Sequence, residues 1–162
     1  MGTGQPLLLI VTGLFIGLAE ELLCRGLVVQ ALRRAGRGEW SVMVLSSLIF
    51  AMLHATNLLS GQDLTTTAQQ VAFTFGFGIC MYLTLRVTGY LVYPILLHAA
   101  YDPSLFIATQ GINKVAGTSG GQSTLAAITT LLYLAVAVVA LVLVRGRVEP
   151  EPAPQAPPDV AR

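Results

Sequence analysis

Six ionisable side chains stand inside strongly apolar stretches of this 162-residue chain: Glu20, Glu21, Arg25, His54, His98 and Asp102. A charged group at the middle of a membrane-length helix costs about 2.5–3.5 kcal/mol on insertion scales, so Glu20, Glu21, Arg25 and Asp102 left unpaired would cost roughly 10–14 kcal/mol. That is comparable with the whole stability of a domain. Groups so placed survive by pairing, by facing a wet cavity or by doing chemistry. Carboxylates and imidazoles together are the parts needed to activate water, stabilise an oxyanion and carry a proton to a leaving group. Two imidazoles with a carboxylate can also hold Zn²⁺ and leave one position open for water.

Spacing sharpens this. Glu21 and Arg25 are i,i+4 neighbours on one helix face, whereas Glu20 is turned about 100° away and is free to serve another partner. Phe50 and His54 have the same spacing, as do His98 and Asp102. His54 and His98 are the only histidines in the chain. Measured from the same end of the bundle, Glu20 lies about 18 Å deep, His54 about 20 Å, His98 about 12 Å and Asp102 about 18 Å. Three separate helices therefore carry polar groups to similar depth.

The elements that must position them are membrane helices. The chain is 54% apolar and 10% charged, against about 25% charged in an ordinary soluble domain. Five stretches approach the roughly 20 residues a bilayer span requires: Leu7–Leu32, Ser41–Ser60, Ala68–Arg86, Tyr90–Gln110 and Ser123–Val144. This predicts an all-α membrane protein, a bundle of about five transmembrane helices over residues 1–148, followed by a disordered Pro-rich cytoplasmic tail over 149–162. Pro94 and Pro103 predict a kink in the fourth span. Pro103 also disfavours helix at Asp102 and frees the Ala99 carbonyl, which suggests a water-filled pocket beside His98. Gly13 and Gly17 form a GxxxG close-packing face. Tyr133 and the rest of the fifth span read as membrane filler, Phe50 as packing beside His54, and Cys24 and Cys80 as inert apolar residues. Arg33, Arg34, Arg37, Arg86, Arg145 and Arg147 all fall on one side of five crossings, which puts the N-terminus outside and the C-terminus in the cytoplasm. A net charge of +1 offers no nucleic-acid footprint. Two cysteines make no disulfide framework. The first span carries carboxylates where a signal peptide would be uniformly apolar.

Glu20-Glu21-Leu22-Leu23-Cys24-Arg25 reads EExxxR, Phe50 to His54 reads FxxxH, and His98 to Asp102 reads HxxxD. In this order, on successive hydrophobic helices, the three motifs resemble the CAAX-protease and bacteriocin-processing family of intramembrane endopeptidases, which includes the type II CAAX prenyl endopeptidases. The resemblance covers about Leu14 to Leu105. It implies an integral protein of a bacterial cell membrane whose substrates are peptides or membrane-associated proteins, CAAX-like or leader-bearing. It implies that Glu20 activates the attacking water and that Glu21 and Arg25 brace the site. His54 and His98 would bind a divalent metal such as Zn²⁺ or polarise the scissile carbonyl. The last motif position is often Asn in the prenyl-protease branch and is Asp102 here, as a ligand, a His-orienting group or a proton carrier. A proton or ion transporter is the alternative, because Glu, His and Asp chains also mark ion paths, although no repeated half-motif accompanies them.

Overall fold

The computed structural model describes residues 5–109, 120–146 and 148, and every regular element among them is helical. Helix α1 (Gln5–Glu21) passes through a π-helical turn, Leu22–Val28, into α2 (Val29–Arg34). Helix α3 (Glu39–His54) continues as a 3₁₀ segment, Ala55–Ser60, and α4 (Leu64–Thr88), α5 (Val92–Thr109) and α6 (Gly120–Leu143) follow. Among the described residues, Pro6–Arg34, Glu39–Ser60 and Leu64–Thr88 are long and apolar enough to cross a membrane, and Ala127–Leu143 is a shorter apolar helix. The protein is an all-α membrane bundle, as its hydropathy pattern predicts. Leu7, Phe15, Leu27, Leu96 and Leu131 are large apolar side chains left on the outside, a surface suited to acyl chains rather than water. The expected Pro-rich tail and the loop holding Lys114 lie outside the described residues.

Helix α4 is the central element, packing against α3, α6 and α5, while α1 packs chiefly on α5. Small residues permit the closest approaches. A Cβ on Gly13 would stand 2.5 Å from the Pro103 ring, and one on Gly17 would stand 2.8 Å from the Ala99 backbone nitrogen. The GxxxG face is thus the α1–α5 seam. The same seam corrects the expectation at Pro103. Helix α5 runs through Pro103 and keeps Asp102 helical, because the proline ring is buried against Gly13 and packing outweighs the local preference. Irregular backbone does occur at membrane depth, but in the π turn after Glu21 and in the 3₁₀ segment after His54. Gly17→Ala should lower stability by about 1–3 kcal/mol through overpacking against backbone. Thermal unfolding in detergent micelles checks this.

The arginine-rich end of the bundle is tied by Glu39, which lies between the first two apolar stretches. Glu39 is fully buried. It accepts from Arg33 Nε at 2.9 Å and Arg33 Nη2 at 2.8 Å and from the Tyr82 hydroxyl, and Arg86 stands 3.8 Å away. Arg86 also donates to the Arg145 carbonyl at 2.8 Å, and Trp40 Nε1 to the Leu141 carbonyl at 3.0 Å. Four helix ends are joined there. Gly36 (φ 71°) and Gly89 (φ 75°) close the helices at this end, in the left-handed conformation that favours glycine. At the opposite end Asp63 caps α4, accepting from the Thr66 amide at 2.9 Å. Its hydrogen bonds with Thr66 hold its carboxyl below the usual carboxylate range.

Candidate active site

Glu20 and Glu21 are the last residues of α1, at the threshold of the π turn. A π turn widens the helix by one residue per turn and re-aims the side chains that follow, and such turns recur at functional sites. Here it carries Arg25 inward. Arg25 Nη1 donates to Glu21 Oε1 at 3.1 Å, and Nη2 donates to the Gly78 carbonyl of α4 at 2.7 Å. The guanidinium carbon lies 4.5 Å from the centre of the Phe50 ring of α3. Arg25 and Glu21 are both fully buried, a placement that is tolerable only with the pair formed and its hydrogen bonds made.

His98 arrives from α5. Its Nδ1 donates to Glu21 Oε1 at 2.9 Å, which fixes that nitrogen as the proton carrier because a carboxylate oxygen only accepts. Its Nε2 faces two further carboxylates, Asp102 Oδ1 at 3.5 Å and Glu20 Oε2 at 3.6 Å. Phe77 and Phe50 meet the imidazole edge-on, with ring centres 5.0 and 5.7 Å away, so the ring plane is set by packing as well as by hydrogen bonding. Glu21 Oε1 thus accepts from both Arg25 and His98, coupling the brace to the imidazole.

His54, the last residue of α3, enters from a third side. Its Nδ1 lies 3.1 Å from the Phe50 carbonyl. A carbonyl accepts only, so Nδ1 carries the proton and Nε2 is left as the open nitrogen. His54 reaches the group through the Phe50 ring, 5.1 Å between centres, which in turn lies 5.7 Å from the His98 ring. Glu20 keeps 27% of its side chain exposed, whereas His98 keeps 4%. The open side of the cluster therefore lies at Glu20 and the half-buried His54.

Five of the six residues singled out by sequence fall in one directly linked cluster, and the sixth, His54, borders it. Glu20, Glu21, Arg25, His98 and Asp102 are linked by the separations above, and His54 joins through Phe50. Several neighbours were not visible in the sequence. Phe50 does more than pack beside His54, since it underlies Arg25 and borders His98. Phe77 and Gly78 lie on a helix that carries no motif. Tyr133 is not filler. Its ring joins Phe73 and Phe77 at 5.3 and 5.7 Å between centres, which ties α6 to the aromatic wall behind His98. A tyrosine in an otherwise aliphatic span is the one signal that could have marked it.

For a metal, the donor types at His54 and His98 are suitable, and the backbone hydrogen bond that orients His54 is a common feature of ligating histidines. The arrangement is incomplete as a ligand set. Among the described residues, no three His, Cys, Asp or Glu side chains are grouped so as to hold an ion.

The family described as type II CAAX prenyl endopeptidase, Rce1-like, matches residues 2–104. That stretch contains the π turn, all three motifs and Gly78, and ends two residues beyond Asp102. No curated protein and no solved structure matches the chain. With well over half of its length matched and the motif residues gathered at one place in an all-helical membrane bundle, the chain belongs to the type II CAAX prenyl endopeptidase Rce1-like family and is, at the level of that family, a CAAX-type membrane endopeptidase.

Proposed function

We propose that this protein hydrolyses peptide bonds of membrane-associated substrates, CAAX-like or leader-bearing, at the Glu20–His98–His54 cluster. The observation that carries the reading is the convergence of α1, α3 and α5 on one group of titratable side chains, with Glu20 Oε2 3.6 Å from His98 Nε2 and partly exposed. Glu20 takes a proton from water as the water oxygen attacks the scissile carbonyl carbon. The carbonyl π electrons move to oxygen, forming the tetrahedral oxyanion on the His54 side of the cluster. Glu20 then delivers its proton to the amine nitrogen as the carbon–nitrogen bond breaks. Glu21 and Asp102 hold His98, and Arg25 offsets the carboxylate charge. Arg33, Arg34, Arg86 and Arg145 share one end of the bundle, and we read that end as cytoplasmic.

The experiment is cleavage of a fluorogenic peptide ending in a prenylated CAAX sequence by purified protein in nanodiscs. Hydrolysis is expected to persist in excess chelator, because every step uses the chain's own side chains. A Zn²⁺ held by His54 and His98 is a second proposal, supported by the open Nε2 of His54; there it would supply Lewis-acid polarisation of the carbonyl. Activity lost to chelation and restored by Zn²⁺ alone would select that proposal over the metal-free one.

A further inference from the structure

The three motifs place catalytic groups on α1, α3 and α5, yet the cation that braces them is anchored on α4, at a residue outside every motif. Arg25 Nη2 donates to the Gly78 carbonyl at 2.7 Å, the shorter of its two hydrogen bonds. Arg25 Nε is buried with no hydrogen-bond partner among the described residues, as are Glu21 Oε2 and Ser47 Oγ. Among the described residues, the guanidinium's hydrogen bonds and ring contact are to Glu21, the Gly78 carbonyl and the Phe50 ring. Gly78 also supplies space. A Cβ there would stand 3.1 Å from Arg25 Nη2, 3.1 Å from Ser47 Cβ and 3.3 Å from Phe50 Cδ1. All three are tighter than ordinary contact, and two of them belong to the Arg25 anchor.

We propose that Gly78 is a positioning residue for the hydrolytic site. Its missing side chain and its carbonyl seat Arg25, Arg25 fixes Glu21 Oε1, and Glu21 fixes the His98 imidazole. The inference rests on the hydrolase reading above and adds a determinant on α4 to it. A methyl group at Gly78 forces Arg25 Nη2, Ser47 and the Phe50 ring back by a few tenths of an ångström, which shifts the guanidinium that holds the Glu21–His98 pair without removing any catalytic atom.

Gly76, two residues earlier on the same helix, is the control. A Cβ on Gly76 would stand 2.9 Å from Tyr133 Cβ and 3.1 Å from the Tyr133 carbonyl carbon, so it disturbs the α4–α6 seam and not the Arg25 anchor. The experiment compares Gly78→Ala, Gly76→Ala and Glu20→Gln in nanodiscs with one prenylated peptide, reading kcat, KM and thermal midpoint. Gly78→Ala is expected to lose about 10- to 100-fold in kcat with KM held within about twofold. Gly76→Ala is expected to lower the midpoint while the folded fraction keeps kcat within about twofold. Adding Ser47→Gly to Gly78→Ala makes room on the α3 side and should recover most of the lost kcat, including where the single variant folds poorly. The positioning role is overturned if Gly78→Ala keeps kcat while Glu20→Gln is inactive. It is equally overturned if the Ser47→Gly pairing restores the midpoint but not kcat. Activity surviving in Glu20→Gln would instead remove the hydrolytic reading, and this inference with it.

Discussion

Glu20→Gln is expected to lower kcat for peptide cleavage by about 10²–10⁴-fold, the usual contribution of a positioned general base. The amide keeps the shape of the side chain and cannot take a proton from water. Among the described residues, Glu20 has one ion-pair separation, to His98 Nε2 of another helix at 3.6 Å. It is also partly exposed, so its replacement opens no buried vacancy and strands no buried ion. Helical content and thermal midpoint should therefore be unchanged, which separates loss of chemistry from loss of fold. Glu20→Asp retains the acid but withdraws it by one methylene, and should fall between wild type and Gln. Circular dichroism together with the cleavage assay reads both quantities.

The second large effect is on stability. Arg25→Ala removes the partner of a fully buried carboxylate, and breaking such a pair costs about 3–5 kcal/mol. Arg25→Lys keeps the charge but not the fork that serves Glu21 and the Gly78 carbonyl together, so it should recover only part of the loss. The double variant Glu21→Leu with Arg25→Met leaves neither charge buried, and apolar replacement of a whole buried pair is often neutral or stabilising. It should regain most of the thermal stability and remain inactive, because His98 Nδ1 then lacks the acceptor it has at 2.9 Å. Thermal unfolding in detergent, run beside the cleavage assay, distinguishes these outcomes.

Much of the site was legible because burying charge in a membrane is costly. Glu20, Glu21, Arg25, His54, His98 and Asp102 stand out against apolar runs, and helical spacing relates residues within each run. Gly13 and Gly17 were legible for a similar reason, since two small residues one turn apart permit a close seam. Relations between helices were not. Nothing in the sequence near Gly78 shows that its carbonyl receives Arg25, because a backbone acceptor has no residue-type signature. Glu39 looked like a loop charge, since its partners Arg33, Tyr82 and Arg86 come from three separate segments. The break in helix expected at Asp102 does not occur, because local preference was weighed without the α1 face that packs on the Pro103 ring. The π turn was hidden because Leu22–Val28 has ordinary helical composition.

Hydrolysis of a peptide bond within the membrane by the clustered carboxylates and imidazoles is open to direct measurement. Purified protein is reconstituted in liposomes with a prenylated CAAX peptide, and the peptide is analysed by mass spectrometry while proton and cation flux are followed in the same vesicles. A single hydrolytic cut that gains the mass of one water is expected, absent in Glu20→Gln, with no flux above that of empty vesicles. An intact peptide in the presence of Glu20-dependent flux would contradict it and assign these groups to an ion path.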